Sequence, residues 1–320
     1  MIIKASYMTN NIAERAQMGV LSDPSTFAEY LTFVLKSTAD TESIQDALSQ
    51  ISGIEKSISQ KDPSANLSIT VGIAKNAWAT ALPDVVMPKH LTTFTEMKDG
   101  ERHFPSTAGD IFLMIKSERI DLNYQAAKYL LAAFKDSAEL VEDIQGFKYL
   151  DNRDLIDFVD GTENPKHQAR VNAVLVQDEA EIHLGGSYLT VQRYVDREMS
   201  WHEQPQHYQE QVIGRTKFDN IELDDDEKPA WAHNNKSKVV IDDQEIKMLR
   251  QNRPFGNALE HGTMFIGFAA DSNVIETSLR QMMYADENGD YDRLLDFVDA
   301  KSGANYFVLS QTAMELFDDE

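Results

Sequence analysis

The chain has 320 residues, carries a formal net charge of −23 at pH 7 and contains no cysteine. This length allows one large domain or two ordinary ones, and the missing thiols exclude disulfides, cysteine-rich zinc sites and iron–sulfur clusters. Because so negative a protein repels phosphate backbones, we expect no nucleic-acid partner. No apolar run approaches the ~18 residues of a membrane span, and residues 1–7 lack a secretory leader pattern. We therefore expect a cytoplasmic protein without a membrane partner.

The first half of the chain predicts both helices and strands. Apolar residues at helical spacing predict a helix over residues 25–60. The alternation of apolar and polar residues over 67–73 predicts a half-buried strand. A short apolar run at 111–115 predicts a buried strand, and an amphipathic helix follows it with Asp121 as its cap.

The second half repeats this order of elements. Strands are predicted over residues 188–194 and 262–268, and a helix containing Ile275 and Leu279 follows the second of them. The repetition predicts an α+β protein of two halves, residues 1–150 and 151–320, in which antiparallel sheets are covered by helices.

Two long segments, 140–185 and 214–261, are instead rich in turn residues. Irregular segments of this length inside a compact domain usually hold functional residues or are disordered. The acidic run at 222–227 lacks the spacing of a calcium loop and is interpreted as a solvated loop.

The most informative string is Asp-Phe-Val-Asp-Gly-Thr-Glu-Asn-Pro at residues 157–165. Its Asp-Gly and Asn-Pro pairs predict two tight turns, with Asp160 between an apolar pair and a glycine. On spacing alone, an aspartate that only hydrogen-bonds its own turn is the simpler interpretation.

This string resembles the Gly-x-x-Asp-Gly signature of dye-decolorizing-type haem peroxidases. Three further blocks follow in the order of that family, at residues 212–233, 249–267 and 294–297. The first glycine of the signature is Asp157 here, and we expect that glycine to serve the backbone. The replacement also adds a second carboxylate close to Asp160 in the sequence.

The resemblance implies a haem b cofactor and assigns the catalytic residues. Asp160 would move the proton of hydrogen peroxide. Arg250 would stabilise charge on the leaving oxygen, with Asn252 as a second polar group nearby.

On the other side of the haem, the resemblance implies that His233 is the metal ligand. A ligating histidine usually bonds a carboxylate through its second ring nitrogen. Asp296 is the expected partner, with Asp299 as the alternative.

Further residues are implied at the cofactor. Arg215 and Arg193 are candidates for binding the propionates, although a surface ion pair would explain each equally well. Phe265 is expected to form a haem wall, although a residue of an apolar strand could also simply fill the core. Gly161 and Thr162 of the signature complete the predicted cofactor-binding set.

The resemblance also implies the architecture, namely two ferredoxin-like halves in a barrel of the dimeric α+β type, with the haem in the second half. The expected activity is peroxide-dependent oxidation of a small organic reductant by a homo-oligomer. A haem-handling protein that releases iron without peroxidase turnover is one alternative, and it would need His233 but not Asp160 or Arg250. A haem-free α+β binding module is the other, and an absorption spectrum would exclude it.

Overall fold

The computed structural model describes residues 12–318, except for the side chain at position 198. Residues 1–7, on which the expectation of no secretory leader rests, lie outside this range. Within it, none of the helices combines the length and apolar composition that a membrane span requires.

The described chain is an α+β fold of strands, α-helices and short 3-10 turns. The strands are β1 (Phe27–Leu35), β2 (Ser68–Ile73), β3 (Met97–Asp99), β4 (Arg102–Phe104), β5 (Ile111–Ser117), β6 (Ala138–Phe147), β7 (Ser187–Asp196), β8 (Val239–Ile241), β9 (Gln244–Ile246), β10 (Leu249–Arg250), β11 (Arg253–Gly256), β12 (His261–Ala269), β13 (Val298–Ala300) and β14 (Ala304–Val308). The helices are α1 (Met18–Leu21), α2 (Thr41–Ser59), α3 (Lys75–Ala81), α4 (Ile120–Phe134), α5 (His167–Val174), α6 (Glu198–His202), α7 (Gln206–Ile213), α8 (His233–Lys236), α9 (Ser272–Met283) and α10 (Gln311–Met314).

Eight strands close into an antiparallel barrel in the order β12-β11-β6-β1-β5-β2-β14-β7. The ladder between β7 and β12, from Gly262↔Val195 to Ala269↔Tyr188, completes the circle. β10 pairs with β12 and β13 pairs with β7 outside this circle. The four barrel strands that precede residue 150 are neighbours, and so are the four that follow it.

Side chains alternate between the barrel interior and its outer surface, as strand geometry requires. Tyr30, Phe112, Met264 and Tyr306 pack with other apolar side chains in the interior. In the first half, the long helices α2 and α4 cover the outer surface, and their apolar faces pack against Leu31 and its neighbours.

The second half is covered differently. α9 is its only long helix among the described residues, and it packs on β12 through Ile275 and Leu279. Residues 197–248 form three short helices, loops and the β8–β9 hairpin instead of a second long helix. This replacement leaves room on the outer surface of the sheet.

The predicted strands at 67–73, 111–115, 188–194 and 262–268 are confirmed as β2, β5, β7 and β12. β2 is buried along its whole length, so the expectation that it is half-buried is wrong. The helix over 25–60 is wrong in its first part, since 27–35 is strand β1 and the helix begins at Thr41. β1 is buried on both faces, so its sequence lacks the alternation that marks a half-buried strand.

The predicted cap at Asp121 is also wrong. Arg119 occupies the cap position of α4, with no side-chain cap hydrogen bond, and the Asp121 carboxylate instead pairs with the Arg119 guanidinium at 2.7 Å. Strand β6 was missed inside the segment 140–185, which was expected to be irregular.

Glu29 is a buried carboxylate on β1 whose environment is unfavourable. Its side chain lies on the face that carries Leu31, and it is only 1% exposed. Burial, and then the nearby Asp143 carboxylate, raises the pKa of Glu29 from 4.5 to about 7. Its Oε2 atom has no hydrogen-bond partner within the described chain.

We therefore predict that Glu29→Gln stabilises the protein at pH 8 but not at pH 4.5. A raised folded-state pKa means that the wild-type carboxyl contributes full stability below the unfolded value, and this stability is lost as the pH rises through about 7. Above that pH the amide removes an unsatisfied buried charge, with a gain of about 1–3 kcal/mol. Thermal unfolding at both pH values measures the effect, with Glu139→Gln as an exposed control. An equal gain at both pH values would contradict the prediction.

Candidate active site

A large cavity occupies the outer surface of the second half, between α9, α8 and the loop 154–164. Its atom-free space, counted together with the solvent at its open mouth, is about 1750 Å³. Apolar side chains form much of its wall, including those of Phe158, Phe265, Leu279, Met282 and Leu295. The predicted residues that line it are Asp160, Gly161, Thr162, Arg215, His233, Arg250, Asn252 and Phe265.

Asp160 and Arg250 both present uncommitted side chains to this cavity. The backbone of Asp160 is fixed, because its N–H donates to the carbonyl oxygen of Asn152 at 3.0 Å. Within residues 12–318, no hydrogen bond or ion pair engages the Asp160 carboxylate or the Arg250 guanidinium. A rigid backbone with a free polar end suits a group that must bind a ligand.

Asp154 brings another carboxylate to the same cavity. Its Oδ1 accepts a hydrogen bond from the Phe158 N–H at 2.9 Å. Burial raises the pKa of Asp154 well above its ordinary value, and the neighbouring carboxylates of Asp160 and Asp196 raise it further. The candidate catalytic carboxylate therefore has a second carboxyl group beside it whose charged form is disfavoured.

Asp157 adopts the backbone conformation that explains the glycine of the family signature. Its φ angle is +74°, in the left-handed region that favours glycine. Its carboxylate pairs with the Lys217 ammonium at 3.1 Å, and Asp157 does not line the cavity. The replacement of glycine thus affects the backbone and the surface of the loop, as expected for the backbone role.

His233 begins the short helix α8 and lines the cavity. Its Nδ1 lies 2.6 Å from Oδ2 of Asp292, a carboxylate with no exposed surface. The second oxygen of Asp292 accepts the Leu294 N–H at 3.0 Å. The carboxylate is thereby held at both oxygens, and the Nε2 atom of His233 is left for a ligand.

The partner of His233 therefore differs from the one predicted. Asp296 accepts a hydrogen bond from the Tyr291 hydroxyl at 2.8 Å, and Asp299 pairs with Arg197. Asp292 precedes the 3-10 turn Arg293–Asp296 as its cap, so its side chain points back over the turn. The sequence does show Asp292 two residues before the pair Leu294-Leu295, which is the position of a cap for a short helical turn. The prediction chose Asp296 because it lies inside the family block at 294–297.

Gly214 allows α8 to approach the end of α7. Its φ angle is +88°, and an added Cβ would lie 2.0 Å from Oδ1 of Asn234. The Asn234 amide donates to the Gly214 carbonyl at 3.3 Å. This close approach fixes the helix that carries His233.

Three cationic side chains line the cavity among three glutamates. Arg215, Lys238 and Lys247 line it and are balanced by carboxylates, with Arg215 3.2 Å and Lys247 3.3 Å from Glu163. Ion pairs with one exposed partner are readily exchanged for a ligand carboxylate.

Arg193 is the predicted propionate-binding residue that does not reach the cavity. It pairs with Glu142 and Glu260, each at 2.8 Å. On β7 the cavity is lined by Tyr194 and Asp196, so the period of two directs position 193 to the opposite face. The prediction for Arg193 is wrong for this reason.

Phe265 and Asn252 both line the cavity. Phe265 lines the cavity from β12, and its ring covers Gly267, where an added Cβ would come within 2.7 Å of it. The Oδ1 atom of Asn252 accepts the Ile266 N–H at 3.0 Å, in the gap between β10 and β11.

The chain is an α+β barrel with an open cavity on its second half, and comparison with known proteins identifies its family. The family description "Dyp-type peroxidase, N-terminal" matches residues 17–148, and "Dyp-type peroxidase, C-terminal" matches residues 151–313. A dye-decolorizing peroxidase from Rhodococcus erythropolis is 38% identical over 286 residues, covering 88% of this chain and 83% of that protein. Another, from Mycobacterium tuberculosis, is 40% identical over 273 residues and covers 84% and 81%.

A solved structure agrees with these matches. It is a variant of DypB from Rhodococcus jostii in complex with heme. Its superposition on this chain has a TM-score of 0.90, and the two sequences are 36% identical. The superposition covers 95% of this chain and 99% of that one. The chain belongs to the Dyp-type peroxidase family, and its resemblance to that family in the sequence is confirmed.

The strained position of Asp157 generates a prediction. Asp157→Gly should raise the free energy of unfolding by about 0.5–1 kcal/mol, since left-handed geometry costs an L-residue about 1–2 kcal/mol. Loss of the Lys217 ion pair offsets only a few tenths of this gain. Asp157→Ala loses the same ion pair without gaining glycine's freedom, so it should destabilise. Urea unfolding measures both variants, and a destabilised glycine variant would contradict the argument.

Proposed function

We propose that the cavity binds haem b and that the protein uses hydrogen peroxide to oxidise small organic reductants. The observation that carries this proposal is the histidine–carboxylate pair His233–Asp292 at the wall of a large, largely apolar cavity. Buried carboxylates on the Nδ1 atom of a ligating histidine fix its tautomer and strengthen the ligand.

The donor set fits haem better than a bare metal ion. In the part of the chain that the structure describes, no group of three or more His, Cys, Asp or Glu side chains could hold a metal ion. A single histidine suffices for haem, because the porphyrin supplies four ligands itself.

The cavity walls fit the rest of the group. Phe265, Leu279 and Met282 offer an apolar surface for the porphyrin, and Arg215 or Lys247 could bind its carboxylates. Arg215 donates through Nε to Asn220 at 2.7 Å, so its guanidinium is already oriented at the cavity wall.

When bound, haem supplies an iron centre that takes oxidising equivalents from peroxide and passes them to a reductant. Asp160 would accept the peroxide proton on its free carboxylate and return it to the leaving oxygen. Arg250 would stabilise the negative charge that develops on that oxygen, since its guanidinium is always charged. Asn252 would help to orient the peroxide.

The haem-handling alternative is not favoured. Iron release would need His233 but neither Asp160 nor Arg250, yet both present free polar groups to the same cavity. Two charged groups without a protein partner on the wall of one cavity are the arrangement expected where a ligand is bound.

We also propose that each half is ferredoxin-like, with the boundary at residue 150. The strand orders β6-β1-β5-β2 and β14-β7-β12-β11 support this, because each has the first strand of its half beside the last. A cytoplasmic location and self-association into a dimer or larger oligomer stay predictions.

Haem titration tests the proposed function. The wild-type protein should bind one haem per chain, with a Soret band that changes on addition of peroxide, while His233→Ala should lose most of the bound haem. His207, exposed on α7, provides the matched control, and His207→Ala should bind haem as the wild type does. Normal haem binding and full activity in His233→Ala would show that another residue is the ligand.

A second prediction distinguishes the two candidate carboxylates. Asp292→Asn should raise the reduction potential of the iron, because the imidazole loses anionic character, and should cost ~10–100-fold in haem affinity or activity. Asp296→Asn should leave the potential unchanged, since Asp296 bonds Tyr291 instead. Spectroelectrochemistry of both variants decides the matter, and the reverse pattern would return the role to Asp296.

A further inference from the structure

The asparagine of the Asp-Gly-Thr-Glu-Asn-Pro string has no role in the function proposed above. Its side chain nevertheless makes two hydrogen bonds to one residue. The Nδ2 group of Asn164 donates to the carbonyl oxygen of Arg250 at 2.7 Å, and its Oδ1 accepts the N–H of Arg250 at 2.9 Å. A single amide thus takes the place of a neighbouring strand beside β10.

β10 needs such a partner, because it has only two residues. It pairs with β12 on one side, through Leu249↔Phe268 and Arg250↔Gly267. The N–H and C=O of Arg250 are engaged by Asn164 instead. Without that amide, the backbone that carries the Arg250 side chain would be held by one short ladder.

The backbone of Asn164 is connected to that of Asp160 by a tight turn. The N–H of Asn164 donates to the carbonyl oxygen of Gly161 at 3.1 Å, and Gly161 has a φ angle of +78°. A Cβ at Gly161 would lie 3.0 Å from Nδ2 of Asn164. The glycine that follows Asp160 therefore makes room for the amide that holds Arg250.

A second asparagine holds the other side of Asp160. The Nδ2 group of Asn152 donates to the carbonyl oxygen of Asp160 at 3.0 Å. The backbone carbonyl oxygen of Asn152 accepts the N–H of Asp160, also at 3.0 Å. Its Oδ1 accepts from Nη1 of Arg253, a buried residue of β11, at 2.9 Å. The loop of Asp160 is therefore attached to the segment 250–253 at both ends.

We propose that Asn164 is a positioning residue that sets the place of Arg250 relative to Asp160. The inference rests on the proposed peroxidase function, in which both side chains act on one peroxide molecule. Catalytic groups must be held within ~0.5 Å of their working geometry, and a misplacement of about 1 Å can cost 10²-fold in rate. Arg250 has no side-chain partner of its own in the described chain, so its backbone must supply this precision.

The test is a double-mutant cycle on the haem-loaded protein. Asn164→Ala should lower the second-order rate constant for peroxide ~10–100-fold. In an Arg250→Met background the same change should cost less than about twofold, because the group that Asn164 positions is then absent. Asn164→Asp keeps the acceptor for the Arg250 N–H and loses the donor to the Arg250 carbonyl, so its rate constant for peroxide should fall by an intermediate factor. This variant replaces the alanine variant in the cycle if the latter folds poorly.

Two readouts are independent of turnover. Cyanide, an anion that would occupy the peroxide position, should bind the Asn164→Ala protein more weakly, again only when Arg250 is present. Haem affinity, measured by titration of the haem-free protein, should stay within about threefold of the wild type. The matched control is Asn257→Ala, since Asn257 also hydrogen-bonds backbone N–H groups, of Leu259 and Glu260, but lies outside the cavity.

The outcomes separate this inference from the function on which it rests. An equal loss in the Arg250→Met background, or a lowered unfolding temperature with unchanged peroxide and cyanide reactions, would overturn the positioning role alone. A wild-type protein that binds haem and reacts with peroxide would leave the proposed function intact in either case. A wild-type protein that holds no haem would overturn both.

Discussion

The ladder between β7 and β12 is the constraint on which the site depends. It closes the barrel, and it fixes the alternation of side chains on both strands. Met264 and Ile266 consequently fill the interior, while Thr263 and Phe265 face the cavity. A shift of the register by one residue would exchange these two sets and bury the polar ones.

The alternation also shows how far the sequence could predict the site. Phe265, Asp160, Arg250 and His233 were placed by family motifs, and all four line one cavity. The motifs contain no information on strand facing, and this is why Arg193 was placed in a cavity that it cannot reach. Side chains alternate along β7, and Tyr194 faces the cavity. Arg193, the residue before it, therefore cannot be a cavity residue.

The fold was predictable to a similar extent. β2 alternates apolar residues with Ser, Thr and Gly, although all of its residues are buried, and this alternation identified it as a strand. β1 carries Glu29 and Thr32 within an apolar sequence whose spacing also fits a helix. Asp292 was missed for a related reason. Its hydrogen bond to His233 depends on where the side chain of Asp292 points when it caps a short turn. Spacing along the chain does not determine that direction.

The two halves of the barrel differ in what covers them, and that difference has an energetic consequence. The outer face of the first half is sealed by α2 and α4, so its apolar side chains are buried by the protein itself. In the second half, apolar side chains such as Phe265 and Met282 line an open cavity, beside the half-buried Asp154. A ligand that binds only the folded state stabilises it by mass action. If haem fills the cavity as proposed, its removal should loosen the second half, and above all the segment 197–248 that replaces a covering helix, while the helix-covered first half keeps its own core.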